Sequence, residues 1–241
     1  MRRKLTRIPA LLLGAAMLLS LCSCGGKGIT TEDASKCVQV EMDATYKGQF
    51  QGFVDFYSNV TTEDAKNQYN DNVEGEAYYF LYSFGPEAMD GSGDTVEPTD
   101  MQLHRAKELY EDIYAKADYT ITSSTKQDDG TFAVKLAIKP MNVLHLLGDN
   151  FEAGFEEFWV KFDAVDVDSM SDEEFETWYV ETFAREYYDT LLDLLEEQIP
   201  NIDYMDEKSI VIQVQNNEEE GLSFGDDDWK NLDDLIIDYN I

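Results

Sequence analysis

The sequence predicts an α+β fold: N-terminal helices, two β-hairpins forming a small antiparallel sheet, and a long amphipathic helix between the hairpins. Apolar residues recur every three or four positions through the first third of the chain, the period of a helix with one buried face. The period falls to two at Tyr119-Thr120-Ile121-Thr122 and again at Ser209-Ile210-Val211-Ile212-Gln213-Val214. Between these, Ser171-Asp172-Glu173-Glu174 has the form of a capping box at the head of the longest amphipathic stretch.

The elements follow in order. Thr31 precedes Glu32 and Asp33, acids placed where the positive end of a helix dipole favours them, and the pattern runs to Tyr46 before Lys47-Gly48 breaks it. Phe50, Phe53, Val54 and Tyr57 continue at helical spacing, and Thr62 caps Glu63-Asp64-Ala65 to open a third helix toward Phe84. Gly85, Pro86, Gly91, Gly93 and Pro98 mark a loop. A fourth helix over 99–117 carries Leu103, Ala106, Leu109, Tyr110, Ile113 and Tyr114 on one stripe. The first hairpin turns at Asp129-Gly130, and Pro140 ends its second strand. Beyond a mostly helical segment, the Ser171 helix carries Phe175, Trp178, Tyr179, Phe183, Tyr187, Leu191, Leu194 and Leu195 until Pro200. The second hairpin turns through Asn217-Glu218-Glu219-Glu220-Gly221 into Leu222-Ser223-Phe224, and a last helix covers 228–239. Eleven residues separate Tyr119 from Gly130 and Ile210 from Gly221, a match that duplication or shared turn chemistry can explain.

Composition narrows the function. The chain of 241 residues holds 50 Asp+Glu against 18 Lys+Arg, a formal charge of −32. Such a field repels phosphate backbones, so nucleic acid is excluded as a partner. With 3 Trp, 14 Tyr and 13 Phe and a hydrophobic fraction of 43%, the chain is too apolar for an acidic disordered tail.

The N-terminus carries the most specific signal. Arg2, Arg3, Lys4 and Arg7 precede an apolar run from Ala10 to Leu21, shorter than the roughly 20 residues that span a bilayer, which reads as an export signal. Leu21-Cys22-Ser23-Cys24 then resembles the bacterial lipobox, in which the cysteine is alkylated with diacylglycerol and becomes the first residue after cleavage. The expected organisation is a signal peptide over 1–23, lipidated Cys24 with a flexible tether over 24–30, and one α+β extracytoplasmic domain over 31–241. Without the leader, 14 basic residues face 50 acids, a charge of −36. Cys37 is then the sole free thiol, expected in the core, and no intramolecular disulfide can form.

Catalytic signatures are weak. His104 and His145 lie in different segments without zinc-site spacing; His145 reads as a core histidine and His104 as a surface one. Asp90-Gly91-Ser92-Gly93-Asp94 has the first three alternating positions of a calcium loop, making Asp90, Ser92 and Asp94 weak metal candidates. Thr95 stands where glycine should turn that loop and Met101 where a glutamate should close it. Asp163, Asp166, Asp168 and Asp172, and Asp226 to Asp228 with Asp233 and Asp234, read as solvated acidic faces. No nucleotide fingerprint occurs, and no cofactor is expected. Trp159, Trp178, Trp229, Tyr78, Tyr79 and Tyr82 suggest carbohydrate-stacking platforms, although their helical spacing favours core packing.

The residues Ala34, Val40-Glu41-Met42-Asp43-Ala44-Thr45-Tyr46-Lys47-Gly48-Gln49-Phe50, Thr61-Thr62-Glu63-Asp64-Ala65, Tyr119-Thr120-Ile121 and Val134 through Ile138-Lys139-Pro140 resemble a family of uncharacterised lipoproteins from Gram-positive gut anaerobes. The resemblance brings no catalytic residues and implies the outer face of the cytoplasmic membrane. The expected function is a non-enzymatic, lipid-anchored envelope protein that binds a protein or polymer ligand. A surface hydrolase using Asp or Glu carboxylates, or a weak Ca²⁺-binding envelope protein, is the alternative.

Overall fold

The computed structural model describes residues 28–57, 59–89, 91–217 and 221–239. In chain order they form α1 (Thr31–Lys47), α2 (Phe50–Phe56), α3 (Thr62–Phe84), α4 (Asp100–Tyr114), β1 (Asp118–Lys126), β2 (Phe132–Lys139), α5 (Val143–Gly154) and α6 (Glu156–Asp163), followed by α7 (Asp172–Trp178), α8 (Ala184–Gln198), β3 (Lys208–Asn217), β4 (Gly221–Phe224) and α9 (Asp226–Ile236). The α+β class predicted from the sequence is the one observed.

The two hairpins join into one antiparallel sheet in the order β1-β2-β3-β4. Strands β2 and β3 pair from Phe132 opposite Val214 to Ile138 opposite Lys208. Phe132, Val134, Leu136 and Ile138 turn inward from β2, as do Ile212 and Val214 from β3, while Lys135, Val211 and Gln213 face outward. This is the alternation of a sheet with one face on the core and one in water. Helix α1 lies on the inner face and touches all four strands. Its Cys37, Val38, Met42 and Tyr46 are fully buried and belong to one contiguous core with Leu136, Ile212, Tyr110 and Leu191. Each such large side chain removed from water contributes about 1.5–3 kcal/mol.

Helix starts are set by reciprocal capping boxes. The Thr30 hydroxyl accepts from the Asp33 amide at 3.2 Å while the Asp33 carboxylate accepts from the Thr30 amide at 2.9 Å. Thr61 and Asp64 repeat this on α3, Thr99 and Gln102 on α4, and Ser171 and Glu174 on α7. Thr31 and Thr62, the caps expected from the sequence, are therefore each one residue late. In Thr-Thr-Glu-Asp only the first threonine has its acid three residues ahead, the spacing at which both bonds close.

Two further expectations are corrected. The long helix after Ser171 is not uniform, because Tyr179–Phe183 is wound as a π-helix in which the Ala184 amide donates to the Tyr179 carbonyl. The extra residue turns everything beyond it by about 100° relative to α7. The last helix starts at Asp226, where Gly225 and three acids in the first turn favour it. It stops at Ile236 because the chain then pairs with Met141, whose amide donates to the Ile236 carbonyl at 3.0 Å and whose carbonyl accepts from the Asp238 amide at 3.0 Å.

Candidate functional site

Helices α5, α6 and α7, the π-turn and the start of α8 gather an aromatic cluster. Phe155 is fully buried at its centre, with Phe151 stacked on it at 4.3 Å, Tyr187 at 4.9 Å and Phe158 edge-on at 5.4 Å. Phe162 and Phe183 each stand 5.9 Å from Trp178, which stacks on Phe175 at 5.7 Å. The cluster reaches the surface at Trp159, which is 39% exposed, beside Val160 at 69%. Core packing therefore describes Trp178 and also Trp229, which lies on Phe224 at 4.6 Å; Trp159 is a rim residue.

A shallow, open cleft of about 580 Å³ runs along α7 and the π-turn. It is lined by Ser171, Glu173, Glu174, Thr177, Trp178, Glu181 and Thr182. Glu173, Thr177 and Glu181, and Glu174, Trp178 and Thr182, follow at intervals of four, which sets them on one face of the helix. Hydrogen bonds from Ser171 hold the Glu174 carboxyl below the usual range. The cleft thus offers one indole, several hydroxyls and three carboxylates. It has the chemistry to hold a cation by charge and by attraction to the ring face.

The loop between α3 and α4 is strapped to this region. Tyr179 donates to the Glu87 carbonyl at 2.8 Å, Tyr188 to the Val96 carbonyl at 2.5 Å and Arg185 to the Glu97 carbonyl at 2.5 Å. Of the calcium candidates in that loop, Asp90 lies outside the described residues. The Asp94 carboxylate accepts from the Tyr82 hydroxyl at 3.1 Å, and Ser92 Oγ accepts from the Asp94 amide at 3.1 Å. Cys24, the expected lipidation site, and the whole leader also lie outside the described residues.

The other acidic clusters singled out in the sequence lie at the surface. Asp163, Asp166, Asp168 and Asp172 are exposed, Asp228 accepts from the Gln213 amide at 3.0 Å, and Asp233 accepts from the Tyr46 hydroxyl at 2.5 Å. Among the described residues, no three His, Cys, Asp or Glu side chains converge in a group able to hold a metal ion. His104 is exposed beside Glu108, as expected. His145 is half-buried rather than enclosed, with Nε2 3.3 Å from the carboxylate of buried Asp238.

Glu76 and Asp238 are buried acids that the sequence reading did not single out, and Glu41 is another carboxyl held away from water. Glu41 sits on the inner stripe of α1 with Cys37, Val38 and Ala44 around it, and burial pushes its carboxyl up to about 7 against the opposing pull of the Tyr57 hydroxyl. Its signal was an acid in phase with Ala34, Val38 and Thr45. Glu181, in the cleft, carried no comparable signal because it lies on an exposed helix face among many other acids.

No protein-family model matches the chain, and no curated protein matches it in sequence. Its fold is similar to that in the crystal structure of a "putative lipoprotein (ycdA)" from Bacillus subtilis, with a TM-score of 0.53 at 17% identity. The likeness covers 85% of this chain and 56% of the Bacillus chain, so the chain spans little more than half the length of that protein. At this identity the likeness is one of fold. Among the described residues, no helix is long and apolar enough to cross a membrane.

Proposed function

We propose that the chain is a non-catalytic, lipid-anchored protein of the cell envelope that binds a basic segment of a protein partner in the Trp178 cleft. The cleft carries the binding reading: an indole flanked by Glu173, Glu174 and Glu181 in an open depression. A lysine or arginine there meets both the negative face of the ring and nearby carboxylates, a contact worth about 0.5–2 kcal/mol per cation. The surrounding field strengthens encounter, because a formal charge of −32 attracts cationic partners at long range in low salt.

Anchoring rests on Leu21-Cys22-Ser23-Cys24 behind its basic and apolar leader. The fold likeness to a protein described as a lipoprotein is consistent with that reading. From Cys24 to Thr30 the chain reaches at most roughly 20 Å, which would keep the domain close to the outer face of the cytoplasmic membrane.

Both parts are tested directly. Cells expressing the chain with labelled palmitate should yield a labelled protein, and Cys24→Ala should abolish the label; label retained in that variant rejects the anchor. Titration with a lysine- and arginine-rich peptide should quench tryptophan fluorescence, with at least tenfold weaker binding for Trp178→Ala or for Glu173→Gln with Glu181→Gln. Equal affinity of wild type and variants rejects the cleft.

A further inference from the structure

A small cavity separates α1, α2 and α3, lined by Glu41, Thr45, Phe53, Ala65, Tyr69 and Asn72 among others. About 10 Å³ is open to the centre of a water molecule, close to what a single water needs. Two observations give the space a polar purpose. The Asn72 side chain is over nine-tenths buried and its Nδ2 has no hydrogen-bond partner. Across the cavity stands Glu41, on the stripe that α1 turns toward the core.

The far side of Glu41 meets a short relay. Tyr57, just past the end of α2, interacts with the Glu41 carboxyl and donates to the Leu222 carbonyl of β4 at 3.0 Å. Cys37 Sγ lies 3.3 Å from the Tyr57 hydroxyl and 3.5 Å from the same carbonyl. Tyr57 has one proton to donate and two acceptors competing for it.

We propose that the cavity is a proton-linked water site, in which one water bridges Asn72 Nδ2 and the Glu41 carboxyl and proton uptake by Glu41 redirects the Tyr57 hydroxyl from Glu41 to β4. With Glu41 ionised, Tyr57 donates to the carboxylate and the Cys37 thiol is left to serve the Leu222 carbonyl. With Glu41 protonated, its own O–H donates to the Tyr57 oxygen, and the Tyr57 proton moves onto Leu222. No covalent bond changes except the carboxyl O–H, whose proton comes from solvent. The water accepts from Asn72 in both states and donates to a carboxyl oxygen in both, to the carboxylate when Glu41 is ionised and to the free carbonyl oxygen when it is protonated.

The titratable groups facing Glu41 are Cys37 on α1, Tyr57 beyond α2 and Tyr69 on α3, itself raised to about 12 by burial and by Glu111 and Asp112 of α4. No basic side chain lines the cavity to hold the carboxylate ionised. Burial accordingly dominates, and its effect on Glu41 lies near neutral pH.

The test is carboxyl-carbon NMR of the full-length protein, ¹³C-labelled at glutamate, between pH 5 and 9. One glutamate should titrate near 7, and Glu41→Gln should remove that resonance. A magnetisation-transfer experiment at the same pH values should give a cross-peak between the Asn72 side-chain amide and a bound water. Glutamates that all titrate in the ordinary carboxylate range overturn the proton site, a result the wild-type spectrum decides alone. An Asn72 amide without a water cross-peak overturns the bridge.

Discussion

At the scale of single residues, Glu41 gives this acidic chain an unusual response to pH. Its carboxyl is raised from 4.5 in the unfolded chain to about 7 in the folded one, so the native state binds the extra proton between those values. The stabilisation is fully present below about 4.5 and is lost as the pH rises through about 7. At 1.36 kcal/mol per pH unit the loss amounts to at most about 3 kcal/mol. Urea midpoints should fall from pH 5.5 to pH 8 in the wild type, and the fall should be largely absent in Glu41→Gln. A Glu41→Gln protein with the wild-type profile contradicts this. Tyr57→Phe acts in the opposite sense: the Tyr57 hydroxyl favours the ionised carboxyl, so its removal should push Glu41 still higher and steepen the profile.

At the scale of elements, the tightest constraint is Gly85 at the end of α3. Its φ of −71° suits any residue, but a Cβ there would stand 2.2 Å from the Tyr188 hydroxyl and 2.5 Å from the Leu81 carbonyl. Gly85→Ala should therefore cost about 1–3 kcal/mol by overpacking, and should disrupt the Tyr188 bond to Val96 that ties down the following loop. Denaturant unfolding would measure the first effect, and amide exchange at 87–97 the second. Thr30→Ala and Thr61→Ala each remove one capping box and should cost about 1 kcal/mol, a value that unchanged stability would refute.

The same elements explain what the sequence disclosed. Helical stripes, alternating strands and the Ser171 box were legible because each is a local pattern. The hairpins were expected to form one sheet, but which strands meet and in what register was not legible, since Phe132 and Val214 are 82 positions apart and nothing local couples them. The π-turn was hidden because Tyr179, Phe183 and Tyr187 keep a spacing of four through it. Glu41 was legible in principle as an acid on an apolar stripe. With 50 acids in the chain, however, one more attracted no weight. The cleft at Trp178 is lined mostly by exposed residues that no apolar pattern marks, so the candidate site was less readable than the fold.

At the scale of the whole molecule, charge governs behaviour. Fifty acids against 18 basic residues repel one another across the surface, and ion pairs such as Arg105 with Asp193 and Glu196 offset only part of this. Raising NaCl from 10 to 500 mM shortens the screening length from about 30 Å to about 4 Å and should raise the melting temperature by several degrees. Binding of a basic peptide at the cleft should weaken over the same range. A protein that melts at one temperature throughout would show that self-repulsion is unimportant.

The position of α1 has a mechanical meaning. It is the described helix nearest in sequence to Cys24, with its Thr30 cap six positions away, and it spans all four strands of the sheet. A pull on the domain resisted at a membrane-held Cys24 would enter through the element most widely embedded in the core. The first structure loaded would be the hardest to peel away, so drag on a bound partner would meet the shear strength of the whole α1–sheet interface before any peripheral helix gave way.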